Sequence, residues 1–126
     1  MKNMDEEKTN IKSSCMGFNP TYSDEAPSFE QVSQLAGSTI IEFGAPWCGH
    51  CIAATSAIQE TLSKHRDVTH IKLFDGKGKI LGRKFKVKLW PTLILLNNGL
   101  EVGRLIRPLH AGEVNQLLEN PQQKYD

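Results

Sequence analysis

The residues most able to do chemistry stand together in the stretch Ala45-Pro46-Trp47-Cys48-Gly49-His50-Cys51. Two cysteines separated by two residues close a small ring when the first turn of a helix holds them. The stretch falls where a strand-like run, Thr39–Gly44, gives way to helical spacing, which puts Cys48 at a helix N-terminus. Free backbone N–H groups and the helix dipole favour an anion there. A thiolate is an anion, so Cys48 is predicted to ionise easily and to be the exposed nucleophile. Cys51, one turn further in, is predicted to be buried and poorly ionised. That asymmetry suits disulfide exchange: Cys48 attacks a substrate disulfide, and Cys51 resolves the mixed disulfide.

The same spacing is half of a zinc site. Zinc takes four ligands, however, and no second cysteine pair exists. His50, His65, His70 and His110 are scattered, and Cys15 lies far upstream. A carrier using Cys48, Cys51 and His50 is the metal alternative, but no metal site is expected. No organic cofactor is implied either, because the Cys48–Cys51 pair is itself the redox centre. His50, between the cysteines, can donate to the Cys48 thiolate or lie near it. This favours the reduced form and makes the disulfide more oxidising; the alternative is an exposed spacer. Glu42 stands among Ile40, Ile41 and Phe43, in a strand expected to be covered on both faces. A carboxylate there is costly unless it is paired or functional; the alternative is an exposed edge position.

These side chains need a frame, and the rest of the chain supplies one. The 126 residues suit one domain. Residues 1–20 read as a flexible arm, 21–120 as the folded unit and 121–126 as a tail, with a first strand near Thr21–Ser23. Ser28 is a good N-cap for a helix over about Phe29–Ala36, with Gly37 as its stop. Thr39–Gly44 is a strand, and helical spacing runs from Cys48 to His65. Val68–Phe74 is a second strand and Pro91–Leu96 a third, nearly all apolar and so covered on both faces. Asn98-Gly99 predicts a hairpin into Leu100–Ile106. Ala111, Val114, Leu117 and Leu118 mark a closing helix. Asp75–Lys88 fits a loop with either a short helix or a strand. The order is that of an α/β domain in which helices cover a mixed sheet.

With 15 basic and 14 acidic residues, the chain lacks the cationic excess of a nucleic-acid binder. No apolar run approaches the roughly 20 residues of a spanning helix, so no membrane role is expected. No secretory-type apolar run precedes Ser38, which makes the cytoplasm the default expectation.

Glu42-Phe43-Gly44-Ala45-Pro46-Trp47-Cys48-Gly49-His50-Cys51 resembles the active site of the thioredoxin superfamily. Its Cys-Gly-His-Cys is the form seen in protein disulfide isomerase domains. Trp90-Pro91-Thr92, 40 residues after Cys51, resembles the segment in which the family carries a cis-proline facing the cysteines. The resemblance implies a thioredoxin fold, with helices on both faces of a central mixed sheet. It implies that Glu42 is a buried acid taking the proton of Cys51, with Lys72 as the supporting residue that pairs with it. It also implies that Trp47, Gly49, Trp90 and Pro91 shape the substrate groove. Four positions depart from the family: Ile52, Ser56, Trp90 and Arg107, the last of which puts a charge on the rim around Cys48.

The resulting expectation is a monomeric thiol–disulfide oxidoreductase. It exchanges the Cys48–Cys51 pair with protein disulfide or dithiol substrates and is recycled by a reductase or an oxidant. The competing expectation is a non-catalytic interaction module that keeps the motif by descent.

Overall fold

The computed structural model describes residue 11 and residues 13–120. In chain order the elements are β1 (Ser14–Met16), α1 (Phe29–Ser33), β2 (Ser38–Gly44), α2 (Gly49–Leu62), β3 (Thr69–Phe74), α3 (Ile80–Lys84), β4 (Thr92–Asn97), β5 (Leu100–Ile106) and α4 (Ala111–Glu119). The five strands form one sheet in the order β1-β3-β2-β4-β5. Only β2 and β3 run parallel; the other pairings are antiparallel. The expected α/β architecture with a mixed sheet is therefore the one observed.

Local chemistry explains most boundaries. The Ser28 hydroxyl accepts from the Gln31 N–H at 3.0 Å, and the Gln31 side chain accepts from the Ser28 N–H at 2.9 Å. This capping box starts α1, which ends at Ser33, short of the expected Ala36. The hairpin between β4 and β5 turns on Asn98 and Gly99, both at positive φ, the conformation that two-residue hairpin turns favour. At Gly99 a Cβ would fall 2.0 Å from the Ser33 carbonyl oxygen, so only glycine lets the hairpin tip approach α1. The ambiguous segment after β3 resolves into a loop and the single helical turn of α3.

The N-terminal reading needs correction. The first strand is not at Thr21–Ser23 but at Ser14–Met16, which pairs antiparallel with Thr69–Ile71. Ser23 touches β3 only through an isolated parallel bridge to Leu73. The flexible arm expected over residues 1–20 thus includes an ordered edge strand from Ser14 to Met16. Asn19 fastens the segment after β1: its side-chain amide donates to the Ser13 carbonyl at 2.7 Å and to the His70 carbonyl at 3.1 Å. Residues 1–10 and 12, and the expected tail 121–126, lie outside the described residues.

The sheet separates two apolar layers. On one face Ile41 and Phe43 of β2 pack with Val32, Leu81 and Phe85. On the other, Ile40 of β2 packs with Ala54, Ile58 and Leu62 of α2 and with Val114 and Leu117 of α4. Each fully buried aliphatic side chain contributes on the order of 1.5–3 kcal/mol. Because side chains alternate along a strand, Glu42 shares the face of Ile40 and points to the α2 side. That is the side on which the cysteines begin their helix. Among the described residues no helix is long and apolar enough to cross a membrane.

Candidate active site

Cys48 is the N-cap of α2 and Cys51 lies in its first turn. Cys48 is partly exposed and Cys51 is 1% exposed, both as free thiols. The Cys48 thiol makes no formed capping bond. Slight burial raises its pKa, but the Cys51 thiol, the backbone N–H groups of Cys51 and His50, and the Arg107 guanidinium outweigh that and hold it below the ordinary thiol value. Cys51 behaves oppositely. Burial, assisted by hydrogen bonding to Cys48, pushes its pKa up to about 11, against opposing hydrogen bonds from the Ala45 backbone and the Tyr22 hydroxyl. The two thiols are thus pushed in opposite directions, Cys48 towards the thiolate and Cys51 towards the thiol, as the helix-terminus argument predicts.

Arg107 reaches this position through an uncommon backbone. It adopts φ 54°, a left-handed conformation that non-glycine residues seldom take. Its N–H donates to the Pro91 carbonyl at 2.9 Å and its Nε to the Trp90 carbonyl at 2.8 Å. The end of β5 is thereby clamped onto the Trp90–Pro91 segment, whose peptide bond is cis. The Trp90 indole is half-buried and donates to Asp75 Oδ2 at 2.9 Å. Trp47 is 69% exposed and leans on Phe74, with ring centroids 5.6 Å apart. Gly49 and the His50 side chain are exposed on the first turn of α2. The His50 backbone N–H is among the groups that favour a Cys48 thiolate.

Glu42 is buried, 1% exposed, as the sequence implies. Its partner is not the expected Lys72. Oε1 of Glu42 lies 2.9 Å from Nε2 of His70. The Asn19 N–H donates to Nδ1 of His70 at 2.9 Å. A backbone N–H can only donate, so Nδ1 carries the lone pair and the ring proton sits on Nε2, which donates to Glu42. Glu42 Oε2 has no hydrogen-bond partner. Lys72 is the register neighbour of Glu42 on β3, but its ammonium lies over aromatic rings, 4.5 Å from the Tyr22 centroid and 5.6 Å from that of Phe18. The Tyr22 ring beneath Lys72 itself rests on Phe74, with centroids 5.8 Å apart.

Sequence reasoning missed Tyr22, His70 and Asn19. Tyr22 and Asn19 stood in a stretch read as arm or weak strand, and His70 was one of four dispersed histidines. The one available signal was the alternation of β3, which puts His70 and Lys72 on the same face as Glu42. Cys15, on edge strand β1, is exposed. Among the described residues no cluster of three or more His, Cys, Asp or Glu side chains could hold a metal ion.

A four-stranded core extended by β1, with a reactive cysteine at the start of the helix after β2 and its partner one turn inside, defines a dithiol–disulfide domain. Residues 20–120 match the family model described as Thioredoxin. The chain belongs to the thioredoxin family and has its fold, in which the redox centre is the protein's own cysteine pair. It is similar to thioredoxin 2 from Pseudomonas aeruginosa PAO1 in its reduced form, with TM-score 0.74 and 44% identity, covering 83% of this chain and 97% of that one. It is 30% identical over 78 residues to thioredoxin H2 of Arabidopsis thaliana, covering 62% of this chain and 59% of that protein. It is also 31% identical over 99 residues to a protein disulfide-isomerase of Datisca glomerata, covering 65% of this chain and 20% of that protein.

Proposed function

We propose that the protein is a thiol–disulfide oxidoreductase that exchanges its Cys48–Cys51 pair with disulfides or dithiols of protein substrates and so contributes to cell redox homeostasis. The observation that carries this reading is the asymmetric placement of the two free thiols: Cys48 partly exposed as the N-cap of α2, Cys51 buried one turn inside it.

In the reducing direction the Cys48 thiolate attacks one sulfur of a substrate disulfide. A Cys48–substrate S–S bond forms, the substrate S–S bond breaks, and its electron pair leaves on the second substrate sulfur. Cys51 then loses its proton, with the free Oε2 of Glu42 as acceptor, and attacks Cys48. The Cys48–Cys51 bond forms and the substrate leaves as a thiolate that takes a proton from solvent. The substrate gains two electrons and the dithiol loses two. A recycling reductase or oxidant restores the starting state, and its identity decides whether the enzyme works as reductase, oxidase or isomerase. Exposed Trp47 and the cis Trp90–Pro91 segment frame the substrate's approach.

Insulin reduction with dithiothreitol as the recycling reductant tests the reading. Turnover lost in Cys48→Ser supports it. Absence of turnover in the native chain would leave a non-catalytic interaction module.

A further inference from the structure

The resolving cysteine has a problem that the exchange chemistry does not solve by itself. Cys51 is sealed from solvent, and to attack Cys48 it must carry a negative charge in that setting. Desolvation disfavours such a charge unless a donor meets it. The Ala45 backbone favours that charge, and the space beside Gly44 shows where a side-chain donor joins it.

At Gly44, the last residue of β2, a Cβ would stand 2.6 Å from Cys51 Sγ and 3.1 Å from the Tyr22 hydroxyl oxygen. A larger residue would occupy the space where thiol and phenol meet. Glycine leaves that space open, so the Tyr22 hydroxyl and the Cys51 sulfur face each other across it, with the phenol placed to donate to the sulfur once it is charged. The ring is held from two sides, by Phe74 and by the Lys72 ammonium over its face. The other charged or titratable groups acting on it are Glu42, Cys51 and Cys48. Burial comes first among the causes that keep the phenol protonated, followed by the Glu42 carboxylate and the bond to Cys51. It stays a donor throughout the pH range in which Cys51 reacts.

We propose that Tyr22 is a catalytic residue for the resolving step, donating a hydrogen bond to the Cys51 sulfur as it becomes the thiolate that displaces the substrate from Cys48. The proposal rests on the oxidoreductase reading above. Tyr22 contributes no electrons and loses no proton in the step. The Cys51 proton goes to Glu42, the Cys51–Cys48 bond forms, the Cys48–substrate bond breaks, and the electron pair leaves on the substrate sulfur. Cys48 is served by the helix terminus and Arg107, so initial attack is independent of Tyr22.

Mixing the reduced chain, carrying Cys15→Ser to remove the exposed third thiol, with the aromatic disulfide dithiobis(nitrobenzoate) separates the two steps. Attack by Cys48 releases one coloured thiolate, and resolution by Cys51 releases a second. Tyr22→Phe is expected to leave the first release within about twofold and to slow the second by about tenfold or more near neutral pH, as loss of a donor to a charged group implies. The pH profile of the second release moves upward. An unchanged second release in Tyr22→Phe would overturn the role of Tyr22 while leaving the oxidoreductase reading intact. A parent chain that never gives the second release would overturn that reading itself. As a check that keeps the protein's shape, 3-fluorotyrosine, a stronger donor, is incorporated in a Tyr125→Phe background. It is expected to accelerate the second release, and a second release unchanged or slowed would contradict the proposal.

Discussion

Nε2 of His70 donates to Oε1 of Glu42 across 2.9 Å, with both side chains closed off from solvent. The contact ties β3 to β2 under the catalytic helix and leaves only Oε2 of Glu42 open. Removing one member of a buried polar pair strands the other, which costs more than the pair contributes. His70→Leu is therefore expected to lower unfolding stability by about 3 kcal/mol. Adding Glu42→Leu is expected to recover more than about 1 kcal/mol, because the stranded carboxylate goes with it. Urea unfolding of both single variants and the double variant checks this. Additive losses would contradict the pairing.

The Gly44 contacts make a sharper stability test. A methyl group there would press on both Cys51 Sγ and the Tyr22 hydroxyl. Gly44→Ala is expected to cost about 1–3 kcal/mol through overpacking and to slow resolution while sparing initial attack. Thermal unfolding and the two-step thiolate release report the two effects separately. An Ala variant as stable and as fast as the parent would mean that Cys51 and Tyr22 have slack the geometry does not show.

Much of this site was legible in the sequence. The C-x-x-C spacing at a strand-to-helix junction, the turn pair Asn98-Gly99 and the apolar run of β4 each carry a local rule, and each element obeys its rule. Glu42 was conspicuous because a carboxylate among Ile40, Ile41 and Phe43 breaks the apolar pattern. Its partner was not legible. His70 and Tyr22 reach it only through the β2–β3 register and through a polar edge segment that carries no hydrophobic period, and Asn19 holds that segment by hydrogen bonds rather than by packing. The resemblance paired Lys72 with Glu42, and the two are register neighbours, but the Lys72 side chain goes to the Tyr22 ring instead of to the carboxylate.

Arg107 stands out as a charge that acts on Cys48 from a strained backbone position. The cation favours the thiolate. Arg107→Gln is expected to move the Cys48 ionisation midpoint upward, read from thiolate absorbance or from alkylation rate against pH. The sign follows from the lowered pKa: the thiolate is populated below the ordinary thiol range, and losing the cation shifts that onset to higher pH. Added salt should move the parent in the same direction and the variant less. A midpoint unmoved by the substitution would remove Arg107 from the account.

His50 bears on where the protein sits between reductant and oxidant. Donors to the Cys48 thiolate stabilise the reduced form and raise the reduction potential. The His50 backbone N–H, in the first turn of α2, is a donor that favours the Cys48 thiolate although it makes no capping bond to the thiol. His50→Pro deletes that donor, and His50→Ala keeps it. The parent's potential is expected to lie above the roughly −270 mV typical of thioredoxin. His50→Pro is expected to lower it by about 30 mV or more, the size of one charge-assisted hydrogen bond for a two-electron couple. His50→Ala should fall closer to the parent. Equilibration against glutathione measures all three. Equal losses in Pro and Ala would return the effect to the imidazole.

The central claim is the division of labour between Cys48 and Cys51, and one trapping measurement addresses it directly. In a Cys15→Ser background, Cys51→Ser and Cys48→Ser are each incubated with a disulfide-containing protein and analysed by mass spectrometry after acid quenching. A stable mixed disulfide at Cys48 is expected in the Cys51→Ser chain and essentially none in the Cys48→Ser chain. A mixed disulfide that accumulates on Cys51 when Cys48 is absent, at a comparable rate, would contradict that division.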